Sequence, residues 1–180
     1  MNILVPIADG SEEIEFTIIV DVLRRAGISV TSASVMTKKD VTASRNVKLV
    51  ADKLFSEIDT EIFDMIVLPG GGTGSTFMKE YKPLLEALRT FNKSGKMLGA
   101  ICAGPTVLES IGLLRGKRAT CYPSLSDKLL SAEYSTDRVV IDGNIITSQG
   151  PGTTFDFALK IIEIVISDEI SNKIRKELLL

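Results

Sequence analysis

Histidine is absent from the 180 residues. That absence excludes Ser-His-Asp and Cys-His catalysis, histidine metal ligation and histidine-based pH switching. The only thiols are Cys102 and Cys121. They are unclustered, so neither a zinc site nor a disulfide framework is expected, and a reducing cytoplasm is the expected compartment. The net charge is −2 with no basic block, so nucleic acid is not an expected partner. No apolar run approaches the ~18 residues that span a bilayer. The N-terminus M-N-I-L-V-P-I-A lacks a basic n-region, and Asp9, Gly10 and Ser11 end its apolar run. Neither a secretory leader nor a membrane partner is expected. Any proton transfer must rest on Asp, Glu, Lys, Tyr, Cys or water.

What is present suits one soluble domain over residues 1–180. The chain is 44% hydrophobic and 24% charged, and long enough to bury a core. It is organised around Lys96 to Thr106, K-M-L-G-A-I-C-A-G-P-T. A short apolar strand, Met97 to Ile101, breaks at Cys102 and restarts as a helix at Gly104-Pro105. Small residues lie two positions to each side of the cysteine, Ala100 and Gly104. This is the layout of a nucleophile elbow with cysteine in the place of serine, where a sharp turn crowds its neighbours and lifts the side chain into a crevice. Pro105 suits a first helical turn. The helix N-terminus is expected to favour a thiolate and lower the thiol pKa. The alternative is a buried core cysteine, the common fate of that residue type.

The remaining elements are read in chain order. Asn2 to Ala8 is a buried strand. Ser11 is the expected N-cap of a helix to about Arg25, with Ile14, Ile18, Ile19, Val22 and Leu23 on its inner face. Gly27 ends it before a strand from Ile28 to Ala33, which makes a βαβ unit and implies a parallel sheet. The more polar stretch 35–52 suggests a small hairpin or edge excursion turning at Arg45-Asn46, and Leu54 to Ile58 a helical turn. Asp64 to Leu68 is a third parallel strand, running into the glycine stretch Pro69 to Gly74. Tyr81 to Asn92 is a helix, and the elbow helix runs to about Gly112. Arg118 to Cys121 is a short strand, and Ser124 to Leu130 is helical. Arg138 to Ile141 and Ile145 to Ser148 form a hairpin at Asp142-Gly143. Helices from Thr153 to Ile166 and from Glu169 to Leu178 close the chain. The pattern is α/β and doubly wound, a mostly parallel sheet with helices on both faces.

In such sheets ligands bind beyond the carboxyl ends of the strands. The Asp9–Glu15 loop, glycines 70–72, Cys102 and the Gln149–Gly152 loop all fall there. One of Glu12, Glu13 or Glu15 can approach Cys102, and a carboxyl beside a thiolate is expected to hold its proton. Periodicity favours Glu15, three and four residues before Ile18 and Ile19. The plainer reading makes all three solvated acids at a helix start. Backbone N–H groups of Gly70, Gly71 and Ala103 are candidate oxyanion donors. Arg25 and Arg45 are candidate anion handles or plain surface charges. Tyr122 and Pro151 are candidate pocket residues, and Cys121 reads as a structural strand cysteine.

The segment A-I-C-A-G-P (100–105) resembles the signature of the ThiJ/PfpI superfamily, in its DJ-one and YajL-like branch. The resemblance extends over D-G-S-E-E-I-E (9–15), D-V-L-R-R-A-G-I-S-V-T (21–31), S-R-N-V-K-L (44–49), V-L-P-G-G (67–71) and S-Q-G-P-G-T (148–153). It implies a flavodoxin-like fold, a homodimer, no cofactor, a reactive cysteine at Cys102 and a protonated glutamate at Glu15. It also places backbone donors at Gly71 and Ala103 and a pocket arginine, contributed from across the dimer in some readings, at Arg45. The implied activity is handling of small reactive carbonyls, as a glutathione-independent glyoxalase converting methylglyoxal to lactate or as a deglycase. The alternative is an oxidative-stress sensor or redox-regulated chaperone whose cysteine becomes a sulfinate. The chain departs from human-like members at Tyr122-Pro123, where they carry histidine beside proline. It also lacks their auxiliary cysteine in the 43–51 region.

Overall fold

A computed structural model describes residues 1–180. The chain runs β1 (Asn2–Ile7), α1 (Glu13–Arg25), β2 (Ser29–Ser34), β3 (Asp40–Thr42), β4 (Lys48–Val50), β5 (Lys53–Leu54) and β6 (Met65–Leu68). It continues through α2 (Gly72–Glu80), α3 (Lys82–Lys93), β7 (Met97–Ile101), α4 (Pro105–Ser110), β8 (Arg118–Ala119) and β9 (Glu133–Tyr134). Last come β10 (Val139–Asp142), β11 (Ile145–Ser148), α5 (Thr154–Val165) and α6 (Asp168–Glu177). Seven strands form the main sheet in the order β10-β11-β7-β6-β1-β2-β5, parallel except where β10 returns antiparallel to β11. This is the flavodoxin-like arrangement expected from the sequence.

Alternation along each strand divides the core between two faces. Ile3, Val5, Ile7, Met65 and Val67 pack with Ile19, Leu23, Phe157, Ile161 and Ile174 from α1, α5 and α6. Leu4, Ile66, Leu68, Leu98 and Ala100 face the other way, onto Met78, Leu84, Leu88, Phe91 and Val107 from α2, α3 and α4. The polar stretch forms the expected hairpin, β3 against β4, with Asn46 in the left-handed region at its turn.

Several local expectations are corrected. Ser11 does not cap α1: its buried hydroxyl accepts from the Ala8 N–H at 3.1 Å, and the cap position falls on Glu12. Ile14 points outward, 50% exposed, while Glu15 and Phe16 take the inner face. Residues 72–80, to which the sequence reading assigns no element, form the helix α2. Glycine lowers helix propensity, but Gly74 lets α2 press onto Ser11, where a Cβ would lie 2.6 Å from Ser11 Oγ. Segment 123–128 is a 3₁₀ turn, and the elbow helix is short, ending at Ser110.

β1, β6, β7 and β11 lie side by side, and their carboxyl ends lead into the Asp9 loop, Gly70, Cys102 and Gln149. The chain winds outward from β1 to β2 on one side and resumes with β6 on the other. The crevice at that switch point is where α/β sheets bind ligands.

Candidate functional site

Cys102 follows β7 in the left-handed region, with φ +62°. A non-glycine residue there is strained by about 1–3 kcal/mol and persists only where its surroundings hold it. The Cys102 N–H donates to the Ser148 carbonyl at 3.0 Å, and the Cys102 carbonyl accepts from the Tyr122 N–H at 2.9 Å. The small neighbours read from the sequence are sterically required. A Cβ at Gly104 would lie 2.8 Å from the Leu68 carbonyl oxygen and 2.9 Å from that of Ile101. The turn is an elbow, and its thiol is partly open to the crevice.

Glu15 reaches the same point from α1 and is fully buried. Its Oε2 accepts a 2.6 Å hydrogen bond from the Gly70 N–H, while Oε1 has no hydrogen-bond partner. Burial pushes the carboxyl up to about 7, against the pull of the Gly70 N–H and the neighbouring Cys102 thiol and with help from the charge of Glu12. Burial also pushes the Cys102 thiol up, and a charged Glu15 pushes it further, while the Gly71 and Ala103 N–H groups pull it down. The expected lowering by the helix N-terminus is therefore outweighed: α4 has six residues, and desolvation is the largest influence on the sulfur. The two groups titrate as a pair. Burial holds the first proton of the pair above the ordinary carboxylate range, and the second is held more firmly still, because a second negative charge beside the first in a buried site is disfavoured.

The cleft over the sulfur has a volume of about 340 Å³ and is lined by Glu12, Arg45, Cys102, Tyr122 and Pro151 among others. The structure thus brings together Cys102, Glu15, Gly71, Ala103, Arg45, Tyr122 and Pro151. The N–H groups of Gly71 and Ala103 donate to no backbone carbonyl and face the sulfur. Gly70 is a correction: its N–H is spent on Glu15, so it holds the carboxyl and is not a free donor. Its lack of a side chain is needed all the same, since a Cβ there would lie 2.6 Å from Cys102 Cβ. Arg25 stays on the surface, paired with Asp21 at 2.7 Å. Cys121 is buried among apolar side chains.

Glu12 and Glu13 are not simply solvated. The Ser44 hydroxyl lies 2.8 Å from Glu12 Oε2 and 2.7 Å from Glu13 Oε2, and Glu13 also accepts from the Arg45 N–H. These contacts bind the β3–β4 hairpin to the start of α1. Sequence reasoning missed Ser44, Ser124 and Leu125 as cleft residues. None carries a spacing signal, because each arrives from a loop whose path depends on packing. Chemically, the arrangement offers a nucleophilic sulfur, one buried proton donor and two backbone N–H groups able to stabilise negative charge.

A family model described as the DJ-1/PfpI family matches residues 1–164. Drosophila melanogaster protein dj-1beta is 44% identical over 98% of this chain and 95% of its own. Its crystal structure superposes with a TM-score of 0.96 over 99% of this chain and 97% of that one. The glutathione-independent glyoxalase DJR-1.2 of Caenorhabditis elegans is 41% identical over 99% of this chain and 95% of its own. A structure of Toxoplasma gondii DJ-1, described as oxidized, matches at 41% identity with a TM-score of 0.95, covering 99% of this chain and 97% of that one. The chain spans 37% and 42% of two longer Arabidopsis thaliana relatives, DJ-1 homologs B and A, at 48% and 47% identity over 90% of this chain. With one family matched along nearly the whole sequence and the same fold in relatives above 40% identity, the chain belongs to the DJ-1/PfpI family.

Proposed function

We propose that the protein is a cysteine-dependent enzyme for small reactive carbonyls, acting as a glutathione-independent glyoxalase or a deglycase. The observation that carries this reading is the juxtaposition of a strained, partly open Cys102 with a buried Glu15 whose Oε1 lacks a partner. When the pair has lost one proton, the arrangement that pairs every group places the negative charge on sulfur and the proton on Glu15. The Gly71 and Ala103 N–H groups then face an anion. Name-level similarity to a glutathione-independent glyoxalase supports the same reaction class.

For methylglyoxal, the Cys102 thiolate attacks the aldehyde carbon, and Glu15 delivers its proton to the resulting alkoxide, giving a hemithioacetal. The carboxylate then removes the former aldehyde hydrogen as a proton and returns it to the adjacent carbon through an enediol. The aldehyde carbon is thereby oxidised to a thioester as the ketone carbon is reduced to an alcohol, with no external oxidant. Water hydrolyses the thioester to lactate and frees the thiol. Arg45, Tyr122 and Pro151 shape the cleft around the carbonyl oxygens. A reducing cytoplasm, which keeps both cysteines as thiols, suits this chemistry.

The family's association with homodimers calls for exposed apolar side chains, and Ile14, Val47 and Val50 are 50%, 45% and 66% exposed on α1 and the hairpin tied to it. We place the dimer contact there.

The deciding experiment is methylglyoxal consumption with lactate formation by wild type, Cys102→Ser and Glu15→Gln. Turnover by wild type, lost in Cys102→Ser and reduced about 10²–10⁴-fold in Glu15→Gln, is expected. The glutamine keeps the Gly70 contact and a donor to sulfur, so alkylation of Cys102 by iodoacetamide should survive where turnover does not. Inert wild type overturns the glyoxalase reading and favours the sensor reading. In that reading a peroxide oxidises the same sulfur to sulfinate, and the T. gondii relative described as oxidized supports it.

A further inference from the structure

The loop between β11 and α5 touches the cysteine at two levels. The Ser148 carbonyl accepts from the Cys102 N–H at 3.0 Å, which helps hold the strained backbone. Two residues on, Gly150 forms the wall beside the sulfur: a Cβ there would lie 3.9 Å from Cys102 Sγ and 3.1 Å from the Tyr122 ring. The loop makes no ladder hydrogen bonds beyond Ser148; the Thr153 N–H on the Gly150 carbonyl, Arg138 on the Gly152 carbonyl, Gln149 on the Thr136 carbonyl and the hydroxyls of Thr153 and Thr154 hold it.

One hydroxyl ties both levels together. Thr153 Oγ1 accepts from the Gly150 N–H at 3.0 Å and lies 2.9 Å from the Gly150 carbonyl oxygen and 2.7 Å from Ser148 Oγ. The Ser148 hydroxyl in turn donates to the Arg138 carbonyl at 2.7 Å. With the Ser148 proton committed there, Thr153 is the donor in the contact between the two hydroxyls. Ser148 is fully buried and Thr153 is 5% exposed, so water does not replace these bonds when one partner is removed. The Gly150 N–H bond to Thr153 Oγ1 also completes the capping box of the 3₁₀ turn Pro151–Thr153 that leads into α5, whereas the contact with Ser148 Oγ serves no cap, and Thr153 makes no capping bond to α5 itself.

We propose that Thr153 is a positioning residue for the Cys102 nucleophile, holding the Ser148 carbonyl against the cysteine N–H and the Gly150 wall against its sulfur. The inference rests on Cys102 being the nucleophile of the proposed reaction. Without the clamp the Gly150 carbonyl keeps the Thr153 N–H and the Thr154 hydroxyl, but the Gly150 N–H and the Ser148 hydroxyl lose their common partner, so the wall shifts against the sulfur and loosens the elbow beside the Gly71 and Ala103 donors.

The test is the rate of Cys102 alkylation by iodoacetamide as a function of pH, with the modified peptide identified by mass, in wild type, Thr153→Val, Thr153→Ser and Ser148→Ala. Glu15 and Glu12, the carboxyls that act on this site, stay intact in all of them. Thr153→Val keeps the shape and removes the hydroxyl. It should move the pH midpoint upward and slow alkylation at neutral pH about tenfold, the size of effect that small misplacements of reacting groups produce. Thr153→Ser should restore both. Ser148→Ala, which removes the other hydroxyl and leaves the carbonyl, should shift the midpoint in the same direction and keeps the question answerable if Thr153→Val does not fold. An unchanged midpoint and rate in folded Thr153→Val or Ser148→Ala overturns the proposal. Because the readout is thiol reactivity, it is decided even if wild type fails to turn over methylglyoxal. In that event the carbonyl-enzyme reading falls separately.

Discussion

Glu15 Oε2 and the Gly70 N–H are joined at 2.6 Å, which ties the first helix to the end of β6 directly beneath the Cys102 sulfur. The bond does two things. It orients the carboxyl so that Oε1 is left over for the cysteine, and it removes Gly70 from the set of free anion donors.

Burial of Glu15 makes stability depend on pH in a defined direction. Its carboxyl is raised from 4.5 to about 7 in the folded state, so between those values the folded protein binds more protons than the unfolded chain. The resulting stabilisation is complete below the lower value and is lost as pH rises through the upper one, an effect of about 3 kcal/mol for a fully buried group. Urea unfolding of Cys102→Ser, which removes the coupled thiol, should show stability falling across this window. Adding Glu15→Gln should flatten the slope and make the double variant the more stable of the two above it. An equal slope in both would show that Glu15 is already ionised in the fold.

Gly70→Ala should damage the site without touching either reactive group. The added Cβ would sit 2.6 Å from Cys102 Cβ, 2.8 Å from Glu15 Oε2 and 2.9 Å from the Ala103 nitrogen. Overpacking of this kind costs about 1–3 kcal/mol. A lower urea midpoint together with slower alkylation of Cys102 is expected. Wild-type alkylation would mean that the elbow tolerates displacement.

Peroxide should discriminate between the two thiols. Cys102 opens to the cleft, whereas Cys121 is buried with its thiol pushed up to about 11, chiefly by desolvation. Limited hydrogen peroxide should add two oxygen atoms to Cys102 and none to Cys121, as read by peptide mass. Glu15→Gln should slow the second addition several-fold if the carboxyl's proton steadies the oxidised sulfur. Oxidation at Cys121 first would contradict this account.

The exposed apolar residues Ile14, Val47 and Val50 form the proposed dimer contact. Wild type is expected to sediment as a dimer at micromolar protein and Ile14→Glu with Val50→Glu as a monomer, since paired carboxylates in an apolar contact are desolvated without partners. Because both side chains point away from the core, thermal stability of the monomer should fall only by the loss of association. A variant that sediments like wild type would place the contact elsewhere.

Much of this protein is legible in one dimension. Short, nearly continuous apolar runs in Asn2–Ile7 and Met65–Leu68, helical spacing in α1, α3 and α5, and the small residues around Cys102 are local patterns, and local sterics and periodicity decide them. The absence of histidine narrowed the chemistry before any geometry was known. Glu15 was chosen over its neighbours from spacing, and the choice of residue agrees with its burial even though the accompanying placement of Ile14 inward was wrong. A helix face can turn by one position when a buried carboxyl finds a hydrogen bond, and only the arrival of Gly70 from another strand supplies that bond. The same holds for α2, where propensity argues against a helix and close backbone packing on Ser11 permits one. The thiol environment was misjudged because the sequence displays the helix start but not the desolvation around the sulfur. Ser44, Ser124 and Thr153 reach the site from segments far apart in the chain. Their contributions depend on distances that strand order and packing set, and no spacing along the sequence encodes them.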